Sequence, residues 1–165
     1  MEVIDSFLPE EVFKDIRDSL LCETFPWYWN DSVVRGDGKD CQLVHPFFYS
    51  PDGVVRPKSS FFPIITPILD KLEVDSIGKI KANLTYRTLF NRNTGYHIDI
   101  KPPHPAITKT AIFYINTNNG CTKIEKGGKV KSVANRMVIF DSDIRHAAVS
   151  CTDERRRIVI NFNYG

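Results

Sequence analysis

Hydrophobic spacing divides the chain into two parts. In the first, DSFLPEEVFKDIRDSLL places Val12, Phe13, Ile16 and Leu20 on one face at helical period, with Pro9 near the first turn and Glu10 and Glu11 at the positive end of the helix dipole. This predicts one amphipathic packing helix. SSFFPIITPILDKL predicts a second helix, capped by Ser59 or Ser60 and disturbed by its prolines. Between them, FPWYWNDSVVRGDGKDCQLVHPFFYSPDGVV mixes aromatics with Gly, Pro and Asp, the composition of a folded loop region or short hairpin.

From about residue 78 the period changes. Short β-rich runs follow one another: GKIKANLTYRTLF, YHIDI, TKTAIFYIN, CTKIE, KVKSV, RMVIF, HAAVS and RRIVINFNY, broken by NRNTG, KPPHP, TNNG, KGG, ANR and DSD. Eight such runs in the second half of a chain whose helices come first fit a mainly β fold with flanking helices, a sandwich or jelly roll, better than an α/β repeat. A chain of 165 residues with 42% apolar content supports one core. The expectation is a single domain over 1–165, with N-terminal helices and loops in 1–77 packing on a β core in 78–165.

Charge narrows the partners little. The net charge of +2 is too mild for an electrostatic nucleic-acid binder, although Lys and Arg gather around 123–131 and 155–157. The four cysteines, Cys22, Cys41, Cys121 and Cys151, form no C-x-x-C and read as reduced thiols of a cytoplasmic protein. The N-terminus lacks the basic flank and apolar run of a secretory signal, and FFPIITPIL is too short to span a bilayer. No membrane partner is expected, and the oligomeric state is left open.

The candidate chemistry sits in TGYHIDI. On a strand, residues i and i+2 share a side, so His97 and Asp99 project together while Ile98 faces the opposite layer. An imidazole nitrogen and a carboxylate oxygen then converge as two adjacent ligands for a divalent metal. Of the other histidines, His45, His104 and His146, the last opens a late strand that a sandwich can bring opposite the pair. Two histidines and one carboxylate with open positions form the facial triad suited to non-haem Fe(II). DERRRIVINFNYG then puts an arginine at the start of the final strand, whose planar fork suits a carboxylate. The same arginines also read as a solvated cluster paired with Asp153 and Glu154.

The order YHID, TAIFYIN, NRMVIFDSDIRH and RIVINFNY resembles the 2-oxoglutarate and Fe(II)-dependent dioxygenases, in their prolyl-4-hydroxylase-like branch. The resemblance covers 78–165 and extends weakly to DSFLPEEVF. It implies a double-stranded β-helix (jelly roll), Fe(II) held by His97, Asp99 and His146, and 2-oxoglutarate as co-substrate with O2. Its far carboxylate would pair with Arg157, Arg156 being the competing choice, since only one of them points inward from a regular strand. If Arg157 points in, Val159, Asn161 and Asn163 line the pocket, while Ile158, Ile160 and Phe162 pack outward. Tyr114 and Tyr86 match positions that hydrogen-bond the co-substrate, though either also reads as an ordinary wall residue. The implied reaction is hydroxylation of an unactivated C–H bond in a peptide side chain, a prolyl residue first, or in a small molecule, with release of succinate and CO2. Nucleic acid is not the expected substrate. Lys101 and His104, in IKPPHPAIT, edge the implied active-site mouth, with His104 favoured as a plain loop residue. His45 reads as structural. A non-catalytic jelly roll that binds a metal or ligand is the alternative.

Overall fold

The computed structural model describes residues 1–32, 41–49, 58–100 and 106–165. Lys101 and His104 lie outside them. Strand β1 (Glu2–Ile4) precedes helix α1 (Glu10–Leu21), and β2 (Tyr28–Asn30) pairs antiparallel with β3 (Gln42–Tyr49). A 3₁₀ turn (Phe62–Ile65) leads into helix α2 (Thr66–Leu72). The strands β4 (Ile77–Tyr86), β5 (Lys109–Tyr114), β6 (Cys121–Ile124), β7 (Gly128–Lys131), β8 (Arg136–Asp141), β9 (His146–Val149) and β10 (Arg156–Tyr164) follow.

All strand pairs are antiparallel. One sheet has the order β1-β8-β5-β10-β4-β3-β2 and the other β7-β6-β9. After β4 the chain crosses to the smaller sheet at 93–97, returns for β5, crosses again for β6 and β7, returns for β8, crosses for β9 and ends in the centre of the large sheet as β10. This alternation between two facing sheets makes the jelly roll.

Period-two patterning fixes which residues meet. In β10, Ile158, Ile160 and Phe162 join Ile80, Ala82 and Leu84 of β4, Ala111 and Phe113 of β5 and Met137 of β8 in the main core, with Phe13, Ile16 and Leu20 of α1 and Ile68 of α2. The opposite face of the same strands packs Ile112, Tyr114, Val138, Phe140 and Val159 against Ile124 and Val130 of the small sheet. The large sheet is thus covered on both faces, by helices outside and by the second sheet inside.

The two helices differ from the expected ones in detail. Neither has a side-chain cap, and the prolines of the second shorten it to a 3₁₀ turn and seven α-helical residues. His45 is structural: it is buried, its Nδ1 is 2.8 Å from the Pro26 carbonyl and its Nε2 2.8 Å from Ser59 Oγ. Phe25 packs on the same ring at 4.6 Å, while Tyr28 and Trp29 of the aromatic segment are exposed. All four cysteines are unpaired. Among the described residues no helix is long and apolar enough to cross a membrane.

Asn135 fastens the N-terminal segment to the barrel. It sits at φ 61°, a left-handed conformation that Asn tolerates, and its side chain is buried. Its Oδ1 accepts from Leu8 N at 2.9 Å, and its Nδ2 donates to Leu8 O at 2.8 Å. Asn135→Ala leaves both Leu8 groups without partners, so urea denaturation is expected to show a loss of about 2–4 kcal/mol at ~1–2 kcal/mol per group. A loss below the range of surface substitutions, roughly 0.5 kcal/mol, contradicts the fastening role.

Candidate metal centre

His97 and His146 are joined by the backbone before their side chains meet. His97 N donates to His146 O at 2.9 Å and His146 N to His97 O at 3.0 Å. This is an antiparallel hydrogen-bonded pair, with the imidazoles 4.6 Å apart on one side. YHIDI is not a regular strand. The bridges Asn93–Val149 and His97–His146 enclose one more residue on the first segment than on β9, which defines a bulge. Gly95 takes φ 88° within it, and the Thr94 hydroxyl accepts from Ala148 N at 3.1 Å. His97 is the last bridged residue, and the chain bends away at Asp99.

The ligand-capable atoms of His97, Asp99 and His146 all lie within 4.8 Å of one another. His97 Nε2 is 3.8 Å from Asp99 Oδ1, and His146 Nε2 is 3.6 Å from Asp99 Oδ2. Each Nδ1 faces the backbone carbonyl two residues earlier, Gly95 or Ile144, at 3.4 Å. That leaves both Nε2 atoms turned inward, the arrangement that fixes the tautomer of a metal-binding imidazole. The His146 Nε2 is buried without a hydrogen-bond partner.

The electrostatics favour the ligand forms of His146 and Asp99. Burial pushes the His146 imidazolium down more than Asp99 stabilises it, so the ring is held neutral. Burial would raise the Asp99 carboxyl, but Lys79, His146, His97 and Lys81 together outweigh it and hold the acid far below the usual carboxylate range. Lys79 Nζ is 3.1 Å from Asp99 Oδ1. On the other oxygen, Asn161 Nδ2 and Asn163 Nδ2 approach at 3.4 and 3.3 Å.

A second polar cluster stands deeper between the sheets. Arg157 is 3% exposed, whereas its neighbour Arg156 is exposed. Its Nε donates to Ser132 Oγ at 2.9 Å and its Nη2 to Thr122 Oγ1 at 3.0 Å, and Tyr114 OH donates to the same Thr122 oxygen at 2.7 Å. The guanidinium lies 5.6 Å from the Tyr114 ring centre. Burial opposes its charge, and among the described residues it has no carboxylate partner. Gly120 makes room for it: a Cβ there would stand 2.9 Å from Arg157 Cδ and 2.7 Å from Val149 O.

Tyr86 is not part of this cluster. It falls on the alternation of Ile80, Ala82 and Leu84, the helix-facing side of β4, and is 48% exposed. The expected co-substrate contact fails on phase: the residues of β4 that face inward are Lys79, Lys81, Asn83 and Thr85. Asn83 shares that inner face, opposite Val159 of β10. Sequence reasoning missed Lys79, Lys81, Thr122 and Ser132. The strict alternation of KIKANLT carried the signal for the lysines, but not which face was inside.

No protein-family model matches the sequence, and no curated protein matches it significantly. Solved structures do match. An oxidoreductase of the 2OG-Fe(II) oxygenase family from Burkholderia pseudomallei aligns over 99% of this chain and 82% of its own, with TM-score 0.71 at 10% identity. A Trichoplax adhaerens prolyl hydroxylase, solved in complex with a hypoxia inducible factor oxygen degradation domain peptide fragment, covers 99% and 82% at TM-score 0.63 and 14% identity. A Pseudomonas putida prolyl-4-hydroxylase covers 99% and 91% at TM-score 0.61 and 12% identity. The chain has the double-stranded β-helix fold of the 2-oxoglutarate/Fe(II) oxygenases, prolyl hydroxylases included.

Removing any one of three ligands from such a centre is expected to weaken Mn(II) binding by about 100-fold or more, beyond the loss typical of a supporting residue. Calorimetric titration of His97→Ala, Asp99→Ala and His146→Ala checks this. Wild-type affinity in His146→Ala removes that residue from the ligand set.

Proposed function

We propose that this chain is a 2-oxoglutarate- and Fe(II)-dependent dioxygenase acting as a single domain over 1–165, with 78–165 as its catalytic core. It hydroxylates an unactivated C–H bond of a peptide side chain, a prolyl residue among them, or of a small molecule. The observation that carries this reading is Arg157, a buried guanidinium without a carboxylate partner among the described residues, on the same inward face of β10 as the asparagines that touch Asp99. A buried cation of this kind calls for an anion. A keto diacid running from Arg157 towards the three candidate ligands supplies one.

His97, Asp99 and His146 would hold the metal, a donor set of two imidazoles and one carboxylate that suits Fe(II) and leaves positions open. When bound, iron with 2-oxoglutarate and O2 supplies the oxidative decarboxylation to succinate and CO2 that drives hydroxylation. The protein's own residues orient and shield. Arg157 fixes the far carboxylate through its free N–H groups, held in place by Ser132 and Thr122. Tyr114 braces Thr122 and packs beside the guanidinium. Lys79, Asn161 and Asn163 grip the oxygens of Asp99 and hold it ionised. Val159, Ile112 and Phe140 line the apolar part of the interior and exclude water. The peptide bound to the Trichoplax enzyme supports a peptide substrate.

Anaerobic addition of Fe(II) and 2-oxoglutarate is expected to produce a weak charge-transfer band at roughly 500 nm, where an Fe(II)-bound keto acid absorbs. Its absence with iron bound favours a non-catalytic metal-binding jelly roll. Arg157→Gln raises the 2-oxoglutarate concentration for half-maximal band intensity by about 30-fold or more, the loss of a buried charged pair. Tyr114→Phe raises it by roughly 2–10-fold, the loss of one neutral hydrogen bond. Arg156→Gln and Tyr86→Phe leave it unchanged. A large effect of Arg156→Gln reverses the assignment on β10.

A further inference from the structure

Among the described residues, Lys81 is the charged side chain of the interior that the reading above leaves without a role. It alternates with Lys79, Asn83 and Thr85 on the inner face of β4, and its cross-strand partner on β10 is Asn161. Lys79, two residues away, is occupied by Asp99 at 3.1 Å. Lys81 is half-buried and has no hydrogen bond or ion pair among the described residues. Its placement is therefore costly unless an anion joins it. Burial, with Lys79 adding to it and Asp99 opposing it, brings its ammonium down to about 8, so it remains mostly a cation at neutral pH.

The groups around it also lack partners. The side-chain oxygens of Asn83, two residues along the strand, and of Asn161, directly across, are buried without hydrogen bonds. On the proposed reading the other charges are spoken for. Arg157 takes the far carboxylate of the keto diacid, the metal takes its near end, and Asp99 is shared between the metal and Lys79. One cation is left over. A single ammonium matches a singly charged group, which favours a carboxylate over a doubly charged phosphoryl group.

We propose that Lys81 binds a carboxylate of the primary substrate, so that the enzyme oxidises a carboxylate-bearing compound, either a small acid or an acidic peptide. This rests on the oxygenase reading and gives its substrate a chemical class. The side-chain oxygens of Asn83 and Asn161 are acceptors, so they take an N–H or O–H donor of that substrate rather than its carboxylate.

The test uses the full chain loaded with Mn(II) and saturating 2-oxoglutarate, with acetate as probe, acetamide as its neutral isostere, and ionic strength held constant with chloride. Wild type and Lys81→Arg, which keeps the charge, are expected to show a saturable rise in Tm of about 2–4 °C with acetate at several times its dissociation constant. Acetamide gives none. In Lys81→Gln the acetate response is lost, while the affinity for 2-oxoglutarate, measured by calorimetry, stays within about threefold of wild type, far from the loss set by a severed buried ion pair. An equal acetate response in Lys81→Gln, or none in wild type, overturns the proposal. So does a loss of 2-oxoglutarate affinity in Lys81→Gln comparable to that of Arg157→Gln, which assigns Lys81 to the co-substrate. The oxygenase reading fails separately, through the absence of the charge-transfer band in wild-type Fe(II) protein.

Discussion

The central strand β10 has two different solvents, and the rest of the molecule is arranged to supply them. Its even-numbered residues, Ile158, Ile160 and Phe162, need an apolar neighbour, which α1 and α2 provide. Three of its odd-numbered residues, Arg157, Asn161 and Asn163, are as deeply buried yet polar. They can persist there only if the facing sheet brings hydroxyls, a carboxylate or a ligand. Ser132 and Thr122 serve Arg157, and Asp99 serves both asparagines. The position of β10 in the middle of the large sheet, hydrogen-bonded to β4 and β5, allows no slip: a shift by one residue would send Phe162 into the pocket and the guanidinium into the helices.

The metal centre depends on the same economy of burial. His97 and His146 come from segments separated by the whole of β5 to β8, yet two backbone hydrogen bonds make them direct neighbours. Asp99 cannot be reached by strand geometry alone, because it lies two residues beyond His97, the last bridged residue. Its position is set by electrostatics, with Lys79 on one oxygen and two amides on the other. A carboxylate so surrounded stays ionised across the ordinary pH range, and the neutral His146 beside it keeps a lone pair directed inward.

Much of the fold is legible in the sequence because alternation is a local property. The runs from TKTAIFYIN to RRIVINFNY become β5 to β10, GKIKANLTYRTLF contains β4, and Phe13, Ile16 and Leu20 bury the predicted face of α1. Glu2–Ile4 is too short to carry a period and becomes a strand only because β8 offers an edge. YHIDI has the composition of a strand but pairs at only one residue, since the Thr94 hydroxyl and the positive φ of Gly95 divert the ladder. The H-x-D spacing, the distant histidine and the arginine of the last strand are visible as residues. Lys79 and Lys81 are not, because alternation reveals two faces without saying which is wet. A polar face on a β-strand ordinarily meets solvent, and in β4 it meets the interior, which also puts Tyr86 on the other side.

The hold that Asn135 has on Leu8 joins residues 127 positions apart, and β1 is completed only by β8. A chain made from its N-terminus therefore presents its first strand and the apolar face of α1 long before their partners exist. Contacts of such sequence separation form late and slowly, because a long loop must close first. Phe13, Ile16 and Leu20 spend the period of synthesis without a core to cover them, at about 5–20 residues per second. The hazard for this protein thus falls on the newborn chain, and it lasts until β10 takes its place between β5 and β4.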